Sequence, residues 1–174
     1  MKYSDIYRLY STSQPKDAIH QALREVPVDD SDEQYEDRSP LHLACQYGDT
    51  EGVKILLERD AEPNTKDANG STPIHILGRT SAGCADEDKL KEIAVMLMEH
   101  GANIPRSAKN TTALIECIRN RHFKMAEAII DSGARVNSTD LNGENVLFGF
   151  CAASGDIRRD IRFAKKELDE SVQY

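Results

Sequence analysis

The sequence predicts an all-α solenoid, in which short helix pairs stack side by side. Residues 39–42 read Ser-Pro-Leu-His, and residues 72–75, one interval of 33 later, read Thr-Pro-Ile-His. Thr112 and Asn145 begin related apolar segments further along the chain. Self-similarity at a nearly fixed period is the sequence signature of stacked repeats, whose units cannot bury their apolar faces alone. We therefore expect helix-turn-helix units that share one continuous core.

Further positions of the first unit extend the pattern. The Ser-Pro-Leu-His segment leads to Ala44, then to Gly48, an apolar run ending at Leu57, and Asn64. This order resembles the ankyrin repeat, whose pattern is T-P-L-H-x-A, a glycine, an apolar run and G-A-D-x-N. The resemblance covers about residues 35 to 165. It implies a solenoid with hairpin tips, about four repeats and an N-terminal helical cap.

The boundaries of these units follow from the pattern. Before the first repeat, Ser4 and Pro15 are placed to start two short helices, the second with an apolar face. In the second unit the stretch 78–88 is too long and is polar, so we expect an internal surface loop there. The expected segments are a capping helix pair at 1–28, an acidic linker at 29–37, and repeats at 35–68, 69–108, 109–139 and 140–174, the last including a charged C-terminal cap.

Local chemistry supports the predicted helix ends. Thr72 is a good N-cap and Pro73 suits the first helical position, where its missing N–H costs nothing. Gly101 and Gly133 stand where helices commonly end in a left-handed residue. Residues 67–70 and 140–143 have turn chemistry, which predicts hairpin tips near 68–69 and 141–142, and the repeat pattern predicts another near 109–110.

The periodicity also predicts the core. On the apolar face of the second capping helix we expect Ala18, Ile19, Ala22, Leu23 and Val26. The repeats should bury Leu41, Ala44, Val53, Leu56, Leu57, Ile74, Leu97, Leu114, Ile129, Ile130 and Leu147.

Composition limits the kinds of partner. The chain has 174 residues, a net charge of −8 and a pI near 5.1, which argues against nucleic acid or an anionic membrane as the main partner. No apolar run approaches the length needed to span a bilayer. The first five residues lack the apolar stretch of a secretory signal, so we expect a cytoplasmic protein, with a secreted effector left open. The stretch from Asp29 to Asp37 contains six carboxylates, which predicts a solvated, loosely ordered linker or, alternatively, a binding site for a basic partner.

The cysteines and histidines do not have the spacing of a metal site. Cys45, Cys117 and Cys151 fall at nearly equivalent places in their units, which predicts small buried residues and not zinc ligands. Cys84 lies in the predicted loop and should be exposed. The motif histidines His42 and His75 should pack within the first helix of their units. We therefore expect neither a metal nor another cofactor.

Function is predicted by comparing classes of protein. An enzyme would need a nucleophile with its base, a metal cluster or a phosphate-binding loop, and none is recognisable. The ankyrin resemblance implies a non-catalytic protein-binding module, either a regulator or an adaptor. An inhibitor of the immunity type, a secreted effector and the docking domain of a larger enzyme remain as alternatives.

The resemblance also implies which residues face a partner, through the hairpin tips and a concave groove. These are Tyr35, Arg38, Gln46, Tyr47, Asn69, Arg79, Lys109, Arg119, Leu141 and Asn142. Four of them are basic although the whole chain is acidic, which predicts that the monomeric chain binds an acidic segment of a protein. The tyrosines would anchor that segment, since tyrosine and arginine are enriched at binding hot spots.

Overall fold

A computed structural model of the chain describes residues 1–80, 86–103 and 112–134. Within these ranges the backbone forms eight α-helices and a short 3-10 helix, Glu33–Tyr35, and no strand. The helices are α1 Tyr3–Ser11, α2 Lys16–Glu25, α3 Pro40–Gln46, α4 Thr50–Leu57, α5 Pro73–Gly78, α6 Glu87–Glu99, α7 Ala113–Arg119 and α8 Phe123–Asp131. The prediction of an all-α repeat fold is confirmed.

The helices form two layers. In the first layer α1 contacts α3, α3 contacts α5, and α5 contacts α7. In the second layer α2 contacts α4, α4 contacts α6, and α6 contacts α8. Each helix pair therefore covers the apolar side of the next, as expected of a solenoid.

The core lies between the two layers and contains most of the residues predicted for it. Buried from the predicted set are Ile19, Ala22, Leu23, Val26, Leu41, Ala44, Val53, Leu56, Leu57, Ile74, Leu97, Leu114 and Ile129. Two of the predictions were wrong, because Ala18 is exposed and Ile130 is only partly buried. Each is adjacent to a core residue, Ile19 or Ile129, and one step along a helix turns a side chain by about 100°. Leu147 lies outside the described residues.

The motif residues set the helix starts. Ser39 and Thr72 are the N-caps of α3 and α5, each followed by proline at the first helical position. Their backbone N–H groups donate to Nδ1 of His42, at 3.1 Å, and of His75, at 3.3 Å. The third unit lacks this histidine, and its cap Thr112 accepts the N–H of the residue three positions on, at 3.3 Å. The same helix start is therefore built in two chemical ways.

A hairpin tip joins the first and second units at the predicted place. The Asp67 N–H donates to the Ser71 carbonyl at 2.9 Å, and Asp67 Oδ1 accepts the N–H groups of Asn69 and Ser71 at 2.9 and 2.8 Å. The Ala68 N–H donates to the Glu36 carbonyl at 2.7 Å, which joins this tip to the end of the acidic segment. The tips predicted near 109–110 and 141–142 lie outside the described residues.

The acidic segment 29–37 has more fixed contacts than a loosely ordered linker would. Asp30 accepts the backbone N–H of Tyr3 at 2.7 Å, and Asp32 caps the short 3-10 helix. Tyr35 packs against the tyrosines of α1. The segment therefore joins the capping helices to the first repeat through specific bonds.

Two non-glycine residues occupy left-handed turns where the repeat pattern calls for glycine. Arg121, with φ of 65°, stands in the third unit where Gly48, with φ of 59°, stands in the first. Asp60, with φ of 61°, ends the first unit as Gly101, with φ of 88°, ends the second. A side chain is strained in this conformation by about 1–2 kcal/mol, so both positions carry a cost. In the described ranges no helix is long and apolar enough to cross a membrane.

Candidate functional site

The predicted partner-binding residues within the described ranges lie in the segments that precede the first-layer helices or at the C-terminal ends of those helices. We call this surface the inner face, and within the described residues it comprises Tyr35, Arg38, Gln46, Tyr47, Asn69, Arg79 and Arg119. Lys109, Leu141 and Asn142 lie outside the described residues. Of the described members, Tyr47 and Arg119 are exposed, and the others are partly buried.

In each of two successive units, a hydrogen bond joins the segment before the first-layer helix to the end of that helix. Arg38 Nη1 donates to Gln46 Oε1 at 2.8 Å, and Arg79 Nη1 donates to Ser71 Oγ at 3.0 Å. In both pairs one residue precedes the N-cap and the other lies eight positions later, near the end of the helix. The repeat geometry therefore holds these side chains in a polar row.

Carboxylates of the same chain pair with the two arginines of this row. Arg38 Nη2 lies 2.5 Å from Glu36 Oε2, and Arg38 Nε lies 3.6 Å from Asp67 Oδ2. Arg79 Nε lies 3.0 Å from Glu116 Oε1. Asp67 and Glu116 are buried or nearly so, whereas the Glu36 side chain is 52% exposed. The positive charge of the row is thus largely compensated within the chain, a feature that the spacing of residues alone did not reveal.

Tyrosines of the cap complete the N-terminal end of the inner face. The Tyr35 ring lies 4.3 Å from that of Tyr7 and 5.6 Å from that of Tyr3, between centroids. The Tyr47 ring stacks on Tyr10, with centroids 4.8 Å apart and an angle of 14°. Sequence reasoning missed the α1 tyrosines, although positions 3, 7 and 10 have the spacing of one helical face.

A buried polar cluster fastens the cap to the first repeat. Tyr10 Oη donates to Asp49 Oδ2 at 2.8 Å, and His20 Nε2 lies 3.0 Å from both carboxylate oxygens of Asp49. Burial, together with the carboxylate, raises the pKa of Tyr10. Arg59 Nη1 adds a second link, donating to the carbonyls of Leu23, at 2.5 Å, and Val26, at 2.9 Å.

The histidines and a motif asparagine connect successive repeats. His42 Nδ1 accepts a backbone N–H, so its proton lies on Nε2, which donates to the Ser71 carbonyl at 3.0 Å. His122 Nε2 lies 2.6 Å from the carbonyl oxygen of Thr80. The Asn64 side chain donates to the Gly101 carbonyl at 2.9 Å and accepts the backbone N–H of Asn103 at 2.7 Å. These polar groups bridge the units of the stack.

Three ionisable core groups, His42 and two cysteine thiols, are held in their neutral forms. Burial lowers the pKa of His42 and raises the pKa of the Cys45 and Cys117 thiols. Neither thiol is activated for nucleophilic attack, because the thiolate is the reactive form. Among the described residues, no group of three or more histidine, cysteine or carboxylate side chains is placed to hold a metal ion. Cys84 and Cys151 lie outside the described residues.

Comparison with known proteins identifies the repeats. The family described as "Ankyrin repeats (many copies)" matches residues 22–77. Neurogenic locus notch homolog protein 1 of Mus musculus is 31% identical over 134 residues, which are 76% of this chain and 5% of that protein.

Two further relatives share the same kind of sequence. The Caenorhabditis elegans homolog of transient receptor potential cation channel subfamily A member 1 is 38% identical over 69 residues, 40% of this chain and 6% of the channel protein. Rabankyrin-5 of Mus musculus is 34% identical over 115 residues, 63% of this chain and 9% of that protein. The chain thus spans a small part of each relative's length. Its capped helix pairs, stacked in two layers and matched by these sequences, place it in the ankyrin-repeat family.

Proposed function

We propose that the chain is a non-catalytic protein-binding module that contacts its partner through the inner face. The observation that supports this most directly is the polar row, in which Arg38–Gln46 and Arg79–Ser71 are bonded in successive units. These bonds hold long side chains in place before a partner arrives. Less side-chain entropy is then lost on binding, which is the general benefit of preorganisation.

An exposed aromatic ring lies beside this row. Tyr47 is 38% exposed, although its ring rests on buried Tyr10. A large ring held in one orientation contributes contact area at a low entropic cost, which is typical of a binding anchor. Lys109, Leu141 and Asn142 would extend the same surface if the repeat pattern continues.

For the partner's chemistry, we keep the hypothesis of an acidic segment, and its contact in the third unit would be Arg119. Arg119 is exposed there at the end of α7. At Arg38 an incoming carboxylate would have to replace Glu36, and that is feasible because an exposed ion pair contributes only about 0–1 kcal/mol. At Arg79 the nearly buried Glu116 already supplies the carboxylate.

For the biological role, we propose a regulator or adaptor that acts as a monomer in the cytoplasm. An inhibitor of the immunity type, a secreted effector and a docking domain within a larger enzyme are the alternatives. In three of the relatives the related segment is 5–10% of the protein's length.

Site-specific photo-crosslinking tests the proposal and captures the partner in the same experiment. A benzoylphenylalanine residue would replace Tyr47 on the inner face or, as the control, exposed Glu58 after α4 in the second layer. We expect a discrete crosslinked protein from position 47 and none from position 58, in extracts of the organism that encodes the chain. Identical products from both positions would contradict the inner face as the binding surface.

Charge reversal then tests the acidic-segment hypothesis on the captured partner. The Arg38→Glu/Arg119→Glu double variant should lose binding, and its melting temperature should also fall, because Arg38 pairs with buried Asp67. Arg119→Glu alone, at an exposed position, separates loss of binding from loss of stability. A Lys54→Glu/Lys91→Glu variant changes the net charge equally at exposed second-layer positions and serves as the control. Equal loss of binding in both variants would mean that only the net charge matters.

A further inference from the structure

Tyrosines gather at the N-terminal end of the inner face. The rings of Tyr7 and Tyr35 lie 4.3 Å apart between centroids, and Tyr47 stacks on Tyr10, which follows Tyr7 by three positions on α1. Tyr3 and Tyr10 lie buried beneath them. We call Tyr7, Tyr35 and Tyr47 the tyrosine strip.

The segment that carries Tyr35 of the strip is strongly negative. The segment from Asp29 to Arg38 carries six carboxylates and one guanidinium, and it contains Tyr35 of the strip. The one guanidinium, that of Arg38, already lies on Glu36 and Asp67. Helix α1, counted together with its N-cap residue, adds two basic residues and one acidic residue, so the surroundings remain clearly negative.

Several of these carboxylates are accessible to a partner. Asp29, Glu33 and Asp37 are exposed, whereas Asp30 and Asp32 accept backbone N–H groups of the chain. Beneath the strip, the Tyr3 hydroxyl is buried and has no hydrogen-bond partner in the described part of the chain. The region thus presents aromatic rings and exposed carboxylates together.

We propose that the tyrosine strip binds an arginine-containing basic segment of the partner protein. The guanidinium groups of that segment would stack on the tyrosine rings, and its other basic side chains would pair with the carboxylates of segment 29–37. Tyrosine ring faces attract cations, and arginine is the cation most often found on them. Its planar group also stacks on rings and pairs with carboxylates in a fork geometry, which an ammonium cannot do.

This inference rests on the proposed function, since it names the partner chemistry at one end of the inner face. According to this inference, the partner carries basic residues where it contacts the cap and the first repeat. It carries acidic residues where it contacts the third repeat. Such an arrangement would also fix the direction in which a partner segment lies along the repeats, because the reversed direction would place like charges together.

Binding of a defined probe tests the inference. The probe is a fluorescein-labelled peptide of alternating arginine and serine, followed by fluorescence anisotropy, with alternating lysine–serine and glutamate–serine peptides as comparisons. We expect the arginine peptide to bind more tightly than the lysine peptide, whereas binding of the glutamate peptide would belong to the acidic-segment site near the third unit. Equal binding of the arginine and lysine peptides, or no binding of the arginine peptide even at low ionic strength, would overturn the inference.

Two matched charge variants separate a local site from attraction by net charge. Asp29→Asn/Glu33→Gln/Asp37→Asn removes three exposed carboxylates near the strip, and Glu51→Gln/Glu58→Gln/Glu92→Gln removes three exposed carboxylates from the second layer. Only the first variant should weaken arginine-peptide binding, by about tenfold if each pair contributes as surface pairs do. Equal weakening in both variants would overturn the local site.

Tyr47→Leu tests the ring itself. Leucine keeps an apolar side chain but lacks the ring face, so the affinity should fall by about two- to fivefold, the effect of one exposed cation–π contact. Tyr47→Phe should bind as the parent does, and equal loss in both variants would overturn the role of the ring. If the peptide fails to bind while position 47 still crosslinks a partner, this inference fails and the proposed function stands.

Discussion

The Tyr10–Asp49–His20 cluster leaves no space for a side chain on helix α4. An ideal Cβ built on Gly52 would lie 2.7 Å from Asp49 Oδ2 and 2.8 Å from Tyr10 Oη. The Tyr10 hydroxyl donates a hydrogen bond of 2.8 Å to this carboxylate oxygen. A Gly52→Ala substitution must therefore displace the carboxylate or the tyrosine, and with it at least one hydrogen bond of the cluster.

The expected change in stability is the difference of two opposing effects. Alanine stabilises a helix interior by about 1 kcal/mol relative to glycine. Losing a hydrogen bond to a charged group costs about 1.5–3 kcal/mol. We therefore expect Gly52→Ala to lower the free energy of unfolding by about 0.5–2 kcal/mol, against the direction that helix propensity alone predicts.

Urea denaturation followed by far-UV circular dichroism measures this change. A melting curve should show a drop of about 2–4 °C per kcal/mol for a chain of this size. Glu51→Ala, an exposed change in the same helix, is the control and should stay within about 0.5 kcal/mol of the parent. In a Tyr10→Phe background the hydroxyl is absent, so the penalty of Gly52→Ala should shrink. A more stable Gly52→Ala chain would refute the close packing of the cluster.

Further changes test other parts of the structure. Leu56→Ala should lower the free energy of unfolding by about 2–5 kcal/mol through a cavity in the shared core, and a loss under about 1 kcal/mol in a denaturation curve would contradict its burial. Arg121→Gly should stabilise the chain by about 1 kcal/mol in the same assay, because glycine adopts a φ of 65° without strain, and a destabilised variant would contradict that reasoning. Burial lowers the pKa of His42, so the unfolded chain binds more protons below pH about 6.5 and stability should fall as the pH drops from about 7 toward about 5. His42→Asn should flatten that slope in pH-dependent melting curves, and an unchanged slope would point to other groups. Cys45 and Cys117 should resist maleimide in the native chain and react only in denaturant, as mass spectrometry of the labelled peptides would show, because burial raises the pKa of both thiols.

Much of the fold could be predicted because the positions of helix starts, turns and core residues recur in each repeat. The caps at Ser39 and Thr72, the tip at Asp67–Ser71 and nearly the whole predicted core are local patterns, readable from a few neighbouring residues. The errors occurred at positions adjacent to core residues, such as Ala18 and Ile130, where a helical pattern alone does not show how far the neighbouring helix extends.

The electrostatic character of the candidate site was less predictable. Arg38 and Arg79 appear as free positive charges in the sequence, but their partners Asp67 and Glu116 lie 29 and 37 residues away in the chain. Only stacking of the repeats brings these carboxylates within reach. The tyrosine strip has the same origin, since Tyr7, Tyr35 and Tyr47 belong to three separate segments.

The family, the two-helix unit and most of the positions that face the core could be predicted from the sequence, because these depend on spacing within a single repeat. Tertiary structure alone decided which charges are compensated, which rings adjoin, and that Tyr10, Asp49 and His20 form one buried cluster. The physical reason is that each of these features depends on distances between side chains of different units. Those distances are set by the packing of one helix pair on the next. The periodicity within a unit carries no information about that packing.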